Sequence, residues 1–546
     1  MLRIHEIKCA LGEETDVIPR RIIKKLNIKG VTIREYMLVK ESVDARNKAD
    51  IRRVYSVDFI PGLPGKKTED AEAFLLSKCK GIKLEKTPDM SYHPVPKGQE
   101  VLKHRPVIAG FGPCGMFAGL ILAEMGYKPV IIERGKPIGD RIRDVERFWK
   151  EGVLDEESNV QFGEGGAGLF SDGKLTTQIK DTRIRKVLEE FVEAGGAPEL
   201  LYRQKPHIGT DVLRKIVFNI RNKILENGGE ILFQSKLTDL IISDGPENRI
   251  MRGIIVNGEH RIETEALILA VGHSARDTFR VLEKRGVAMT QKPFSIGVRI
   301  EHPQPLINEV QYGDSRQACE LGAADYKLSH HCENGRGVYT FCMCPGGYVI
   351  GAASQSGGVV TNGMSYHDRG SPNANSALLV DVRTEDFPGD SPLAGVEFQE
   401  KYEKLAFEAA GGSYHAPAQR LKDFMGYPET AAPECGPPVE PTYRPGMTWT
   451  ELSRCLPGFA VEAMREAIPV LGKKLRGFDM GEAVMTGVET RSSSPVRITR
   501  DRKLTGSLEG LYPAGEGAGY AGGIMSAAVD GIRVAEEIVK KYRSFI

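Results

Sequence analysis

The sequence has no excess of either charge. Its 74 Lys and Arg residues meet 73 Asp and Glu, leaving +1 over 546 residues. Such a chain projects no long-range field to gather nucleic acid or an anionic membrane. The N-terminus, MLRIHEIKCALGEE, lacks the apolar core of a secretory leader. A disulfide framework is also missing. The nine cysteines are odd in number and scattered, as suits a reducing compartment, so the expected location is cytoplasmic. No membrane span is expected. The uncharged stretch 107–123 is short for one and is broken near its start by Gly112-Pro113-Cys114-Gly115. With 41% hydrophobic and 27% charged residues, the composition is that of a soluble globular protein with room for about three or four domains.

What is present is organised around RPVIAGFGPCGMFAGLILAEMGYKPVIIERG, residues 105–135. A short apolar strand, Val107 to Ala109, leads into Gly110, Gly112 and Gly115 at G-x-G-x-x-G spacing. A small-residue helix follows from about Cys114 to Met125. A second strand, Pro129 to Ile132, ends on Glu133, 23 residues after Gly110. Strand, glycine turn, helix, strand and acid together predict a dinucleotide site. Gly110 permits the turn, Gly112 lets backbone approach a pyrophosphate, and Gly115 lets helix and strand pack closely. The helix N-terminus faces the phosphates, and Glu133 can accept hydrogen bonds from ribose hydroxyls.

The rest of the chain divides around this unit. Residues 1–92 read as a small α+β domain, with strand patterns near Leu2, at Val31–Lys40 and at Ile51–Ile60, and a basic amphipathic helix at Pro19–Leu26. Its lysines and arginines read first as a solvated face and second as a partner-binding surface. Residues 93–106 are a polar, proline-bearing linker. Residues 107–276 form the first part of the nucleotide domain, 277–480 an inserted β-rich substrate or cap domain, and 481–546 the returning part. Gly163, Gly165 and Gly168 repeat the glycine spacing, but a short Ser-Asp-Gly-Lys loop stands where an apolar helix is needed. Gly165, Gly166, Ala167, Gly168, Ser171 and Asp172 are instead read as a loop presenting N–H groups to the same ligand. Lys174 either neutralises phosphate there or is an exposed loop lysine. The strand Ala266–Val271 ends on Gly272, which permits close approach at the carboxyl edge of a sheet. Gly515, Gly517, Gly519, Gly522 and Gly523 make a last glycine loop before a long helix, Ile524 to Lys540.

GFGPCG with Glu133, together with PAGEGAGYAGGIMSAAVDG, resembles the FAD-binding domain of the glutathione-reductase-like flavoproteins. FGEGGAGLFSDGKLTT, PFSIGVRIEHPQ, TFCMCPGGYVI and TRSSSPVRI resemble a narrower group, the bacterial FAD-dependent (NAD(FAD)-utilising) dehydrogenases. This resemblance covers essentially the whole chain. It implies an α/β fold: a Rossmann-like FAD-binding domain with an inserted β-rich cap and a small N-terminal α+β domain. It implies FAD as cofactor, with NADH or NADPH as a transient donor, and a FAD-dependent oxidoreductase acting on a small-molecule substrate. Gly110, Gly112, Pro113, Cys114 and Gly115 are then expected at the pyrophosphate, Glu133 and Arg134 at the adenosine ribose, and Leu237 at adenine through its backbone. Gly515 and Glu516 are expected near the ribityl chain, and Gly522, Gly523 and Ile524 near the isoalloxazine. A second full dinucleotide motif and a redox C-x-x-C pair, usual in the disulfide reductases, are lacking.

For the chemistry itself, Arg299, Arg491 and Arg497 are candidates for gripping an anionic substrate. Cys342 and Cys344 fall on one face if their segment is a strand. His330, His331 and Cys332 lie across a hairpin turning near Asn334-Gly335. Packing, a thiol role and a metal site all remain open for these residues, with packing favoured and no metal expected. Tyr520 stacks near the flavin or packs. The alternative function is a flavin-binding regulatory or RNA-associated protein whose N-terminal domain holds the partner, although the near-neutral charge argues against nucleic acid. A homodimer is compatible with the sequence.

Overall fold

The computed structural model describes residues 1–244, 249–313, 319–428 and 438–545. Its centre is a parallel sheet of five short strands in the order Leu511–Pro513, Leu267–Leu269, Val107–Ala109, Val130–Ile132, Glu230–Leu232. The first three-residue strand is buried throughout, as a parallel strand covered on both faces must be. Its alternating side chains enter two cores. Ile108 joins Phe117, Leu120, Ile131, Ile532 and Val539 on the helical side. Val107 and Ala109 join Leu240, Ile254, Phe279 and Leu282 on the other side, beneath an antiparallel sheet of Leu237–Asp244, Arg249–Val256 and His260–Glu263. The motif helix, Pro113–Glu124, lies against the C-terminal helix, Ile524–Lys541. They approach so closely that a Cβ on Gly531 would sit 2.1 Å from the Cys114 carbonyl oxygen.

A second, seven-stranded sheet runs in the order Ser329–His331, Gly337–Cys344, Asn373–Val382, Phe294–Pro303, Val484–Glu489, Ala416–Arg420, Met447–Trp449. All its pairs are antiparallel except the last. Side chains of the helices Ala394–Ala409 and Gly458–Lys474 share its core. Met289–Gln291 pairs with Val496–Ile498, forming a ribbon where the chain passes out to this sheet and back. The domain edges expected at 277 and 481 therefore move. Phe279 and Leu282 belong to a nucleotide-side core, and Val484–Glu489 is an interior strand of the second sheet.

The N-terminal unit is a four-stranded antiparallel sheet, in the order Thr32–Asp44, Arg52–Gly62, Leu2–Ala10, Leu84–Lys86, with helices Ile18–Leu26 and Thr68–Lys78. Ile18, Ile22 and Leu26 turn inward and leave the basic residues outside. Residues 93–106 are not a loose tether. Gly98 N–H donates to the Val539 carbonyl at 2.8 Å, and a Cβ at Gly98 would lie 2.2 Å from the Lys541 carbonyl oxygen. No described helix is long and apolar enough to cross a membrane.

Two buried polar features fasten the second sheet. Glu403, on helix Ala394–Ala409, takes bidentate bonds from Arg276 (2.8 and 2.7 Å) and from Arg491 (3.1 and 2.9 Å), and one from Thr490 (2.6 Å). Burial opposes its charge, but the two guanidinium groups hold its carboxyl far below the usual carboxylate range. His302 is fully buried, donates from Nε2 to the Phe478 carbonyl at 2.7 Å and stacks on the Phe478 ring. Burial lowers its pKa from 6.5 to about 4, the bond to Phe478 opposing only in part.

Glu403→Ala leaves two buried guanidinium groups without their counter-ion, so unfolding in urea should show a loss of about 3–5 kcal/mol, with Glu403→Gln intermediate. His302 makes the fold acid-sensitive. The unfolded chain takes up a proton below pH 6.5, whereas the native imidazole does so only near pH 4. This contribution is whole above pH 6.5 and falls by about 3 kcal/mol between pH 6.5 and 4. Urea midpoints measured across that window should fall for the wild type and flatten for His302→Gln.

Candidate cofactor site

Four glycine-bearing segments meet at the carboxyl edge of the parallel sheet. Gly110 (φ +104°) turns the chain out of the central strand, and a Cβ there would strike the Ala270 carbonyl oxygen at 2.4 Å. Gly115 has no room at all, since its Cβ would lie 1.9 Å from the Gly110 carbonyl oxygen. The second glycine loop packs on the first backbone to backbone. Gly165 N–H donates to the Phe111 carbonyl at 2.9 Å, and a Cβ on Gly166 would meet the Gly112 Cα at 2.9 Å. Gly168 faces Ile524, Gly515 faces Cys114, and Gly517 faces the Gly272 carbonyl.

Some of these glycines face nothing solid. A Cβ on Gly112 would find only Gly166, at 3.6 Å. On Gly272 it would find nothing within 4 Å, on Gly522 only the Glu516 carboxylate at 3.7 Å, and on Gly523 only the Ser526 hydroxyl at 4.0 Å. Gly112 and Gly523 cap the N-termini of the motif helix and the C-terminal helix, so two sets of N-terminal N–H groups open beside these gaps. The gaps are a cradle that side chains would fill. Backbone donors beside glycines suit a pyrophosphate and an electron-rich ring, so the residues fit a flavin dinucleotide.

Glu133 is buried, and its carboxylate organises the cradle before any ligand does. Oε2 accepts from Phe111 N–H at 2.8 Å; Oε1 accepts from Gly135 N–H and Gly163 N–H, both at 2.9 Å. Of about four lone-pair positions, one is left for a ribose hydroxyl. Arg134 does not reach out for a ligand. Its guanidinium pairs with Glu157 (2.7 Å) and Asp277 (2.9 and 3.0 Å) and lies 4.0 Å from the centre of the Phe162 ring. Leu237 opens the antiparallel strand beside Lys236, whose ammonium pairs with Glu157 at 2.5 Å.

Several sequence expectations need correction. Lys174 is neither a free phosphate ligand nor an exposed lysine; its ammonium donates to the Met343 carbonyl and so crosses to the second sheet. Asp172 is buried, where it accepts from Ser365 and Arg369 and lies 3.4 Å from His207; these groups outweigh burial and hold its carboxyl down to about 2. Ser171 closes its own loop, donating to the Gly168 carbonyl at 2.7 Å. Arg299 is wholly buried and spent on Glu489 (2.6 Å), Asn362 (2.9 Å) and the Cys342 carbonyl (2.8 Å). Arg491 is spent on Glu403, Ser274 and Ser354. Neither guanidinium is free to grip a substrate. Arg497 is exposed and, with Arg500, brackets the Tyr520 ring at 5.2 and 3.8 Å, so Tyr520 packs against arginine.

The two cysteines do not share a face. The ladder shifts register between Phe341 and Cys344, and Cys342 adopts φ +41°. Cys342 is exposed, whereas Cys344 is buried. Burial of the surroundings pushes the Cys342 thiol up to about 11, with Glu489 and Glu516 adding to this and Arg299 and Lys174 opposing it. Cys344 is pushed up to about 12, again by burial first. Both are neutral thiols at pH 7. His330 and His331 pair with Val338 and Gly337, so they do not join Cys342 and Cys344 in one cluster.

Sequence reasoning passed over two residues that shape the cradle. Arg141, fully buried on the inner side of helix Ile138–Glu151, donates to the carbonyls of Asn159, Val160, Gly163, Glu164 and Gly166 and so fixes the second glycine loop. Asp530 accepts from Gly515 N–H at 2.8 Å while paired with Arg500. An acid inside the apolar run AAVDG was a usable signal; Arg141 sat among other charges and gave none.

Residues 293–492 match the family described as "FAD-dependent protein, C-terminal domain-like", and residues 1–60 match a domain of unknown function. A curated "Uncharacterized protein" of Clostridium beijerinckii is 49% identical over 545 residues, covering 99% of each chain. The chain belongs to the same family as that protein. Among solved structures, it is similar to L-proline dehydrogenase from P. horikoshii, with 12% identity over 82% of this chain and 94% of that chain and a TM-score of 0.35. It is also similar to an oxidoreductase from Methanosarcina mazei, with 11% identity over 79% and 100% and a TM-score of 0.33.

Gly112→Ala and Gly115→Ala separate the cradle from the fold. Gly112 has φ −79°, which alanine accepts, and space for the methyl. Gly112→Ala should keep the thermal midpoint within a few degrees and weaken binding of added FAD by about tenfold or more, since backbone can no longer close on phosphate. Gly115→Ala should lower the midpoint steeply or yield no soluble protein. Equal FAD titrations for wild type and Gly112→Ala would remove the first glycine turn from the site.

Proposed function

We propose that the protein is an FAD-dependent oxidoreductase that moves a hydride to or from a small molecule. The observation that carries this reading is the convergence of Gly112, Gly272, Gly522 and Gly523 on open space at the carboxyl edge of a parallel sheet, between two helix N-termini. The match of residues 293–492 to a FAD-dependent family supports it from a different stretch of the chain. Bound there, the flavin supplies hydride chemistry at N5.

The chain's own residues have separable parts in this scheme. Gly112 and the turn before the motif helix would admit the pyrophosphate, while Glu133 would offer its remaining acceptor position to the ribose. Gly522, Gly523 and the start of the C-terminal helix would offer N–H donors to the negative charge of a reduced ring. Arg299 acts as a positioning residue: anchored by Glu489, it holds the Cys342 carbonyl and so fixes the bulge at Cys342. A neutral thiol can donate a weak hydrogen bond or shape a pocket; it is not a ready nucleophile at pH 7. The electron donor in this reading is NADH or NADPH, visiting the flavin side without a second dinucleotide fold.

The purified protein should show a flavin absorbance spectrum, as isolated or after reconstitution with FAD, and should bleach on anaerobic addition of NADH or NADPH. A flavin spectrum that persists with both would move the reductant to the substrate itself. No flavin after reconstitution would overturn the proposed function.

A further inference from the structure

At the far edge of the seven-stranded sheet, a hairpin and a helix bring together three side chains that no cofactor role uses. The edge strand is Ser329–His331, bonded on one side only, to Gly337–Cys344. The turn after it is tight: Gly335 (φ +76°) donates its N–H to the Cys332 carbonyl at 2.9 Å, and Cys332 N–H donates to the Arg336 carbonyl at 2.8 Å. Residues two apart on extended chain point the same way, so His330 and Cys332 face the same neighbour. That neighbour is helix Gly458–Lys474, which offers the Glu466 carboxylate and, one turn earlier, the Ala463 carbonyl. One His nitrogen, the Cys sulfur and one carboxylate oxygen all lie within 4.8 Å of one another, with His330 Nε2 to Glu466 Oε1 at 3.4 Å.

We propose that His330, Cys332 and Glu466 bind a divalent cation of the zinc class. Zinc held at about 2.3 Å from sulfur and about 2.0–2.2 Å from nitrogen and oxygen needs its ligand atoms about 3.3–3.7 Å apart, so the cluster closes with shifts near 1 Å. One thiolate and one carboxylate neutralise a 2+ charge, and the imidazole adds a neutral donor. The sulfur and nitrogen donors select zinc over calcium or magnesium, which prefer oxygen. The carboxylate is already oriented, because Glu333 N–H donates to Glu466 Oε1 at 2.9 Å. Cys332 is buried and donates to the Ala463 carbonyl at 3.4 Å. Binding releases the thiol proton to solvent as the zinc–sulfur bond forms. Water fills the fourth position. The cation would clip the edge strand to the helix that covers it, whether or not the protein binds FAD.

The test uses the full chain, stripped with chelator and dialysed with one equivalent of zinc. Elemental analysis should find one zinc per chain retained, and zinc-edge X-ray absorption should show a single sulfur at about 2.3 Å. Cys332→Ser and Glu466→Gln should each weaken zinc binding by about tenfold or more. Zinc should raise the thermal midpoint of the wild type and leave those of both variants unmoved. The Glu466 carboxylate is part-exposed, so Glu466→Gln carries the comparison if Cys332→Ser does not fold; circular dichroism reports which has folded. A wild type that keeps no stoichiometric zinc would overturn the proposal. So would zinc bound without sulfur, or bound equally well by Glu466→Gln.

Discussion

The site depends on how near three stretches of backbone can come to each other. Backbone carries its own N–H groups, and those turned inward need an acceptor. Glu133 supplies one acid for three of them: Phe111 in the first glycine turn, Gly135 after the second strand and Gly163 in the second loop. Arg141 does the complementary work, satisfying five carbonyls of the second loop. The glycines are permissive, but the acid and the arginine make the arrangement definite. A single turn of G-x-G-x-x-G becomes one wall of a cradle only because a second loop is held against it.

The second constraint is the double crossing between the two large sheets. A chain that leaves one sheet and returns to it must keep the excursion in register, and the ribbon of Met289–Gln291 with Val496–Ile498 ties its two ends together. Arg276 lies just before the outward crossing, Arg491 just before the return, and Glu403 on a helix of the excursion; their buried bonds join all three. Such clusters rarely add net stability over apolar packing, but their directional bonds accept only one arrangement.

The first glycine turn, both its strands, its helix and the final helix were legible in the sequence, because local spacing and apolar periodicity decide them. The N-terminal strands were legible for the same reason. What escaped were features set by tertiary partners. Arg299 and Arg491 look like substrate clamps in a linear string, yet each meets a buried acid distant in the chain, Glu489 being nearest to Arg491 only in number. Lys174 reads as a phosphate lysine until the Met343 carbonyl is seen across from it. Cys342 and Cys344 lose their shared face to a bulge that no residue type announces. Val484–Glu489 was read with the returning nucleotide part because nothing in VMTGVE announces its two partners in the second sheet.

The order of assembly follows from where the last strand lies. Leu511–Pro513 closes the parallel sheet beside Leu267–Leu269, and Ile524–Lys541 covers its helical side. During synthesis the N-terminal four-stranded unit has all its strands within residues 2–86 and can fold early. The glycine cradle has no such freedom: its walls at Gly112 and at Gly522 and Gly523 come from distant parts of the sequence. Until Gly522 and Gly523 have been made, the first glycine turn waits with one wall missing. The cradle is thus a late-forming feature, completed only after every strand of the second sheet has been synthesised.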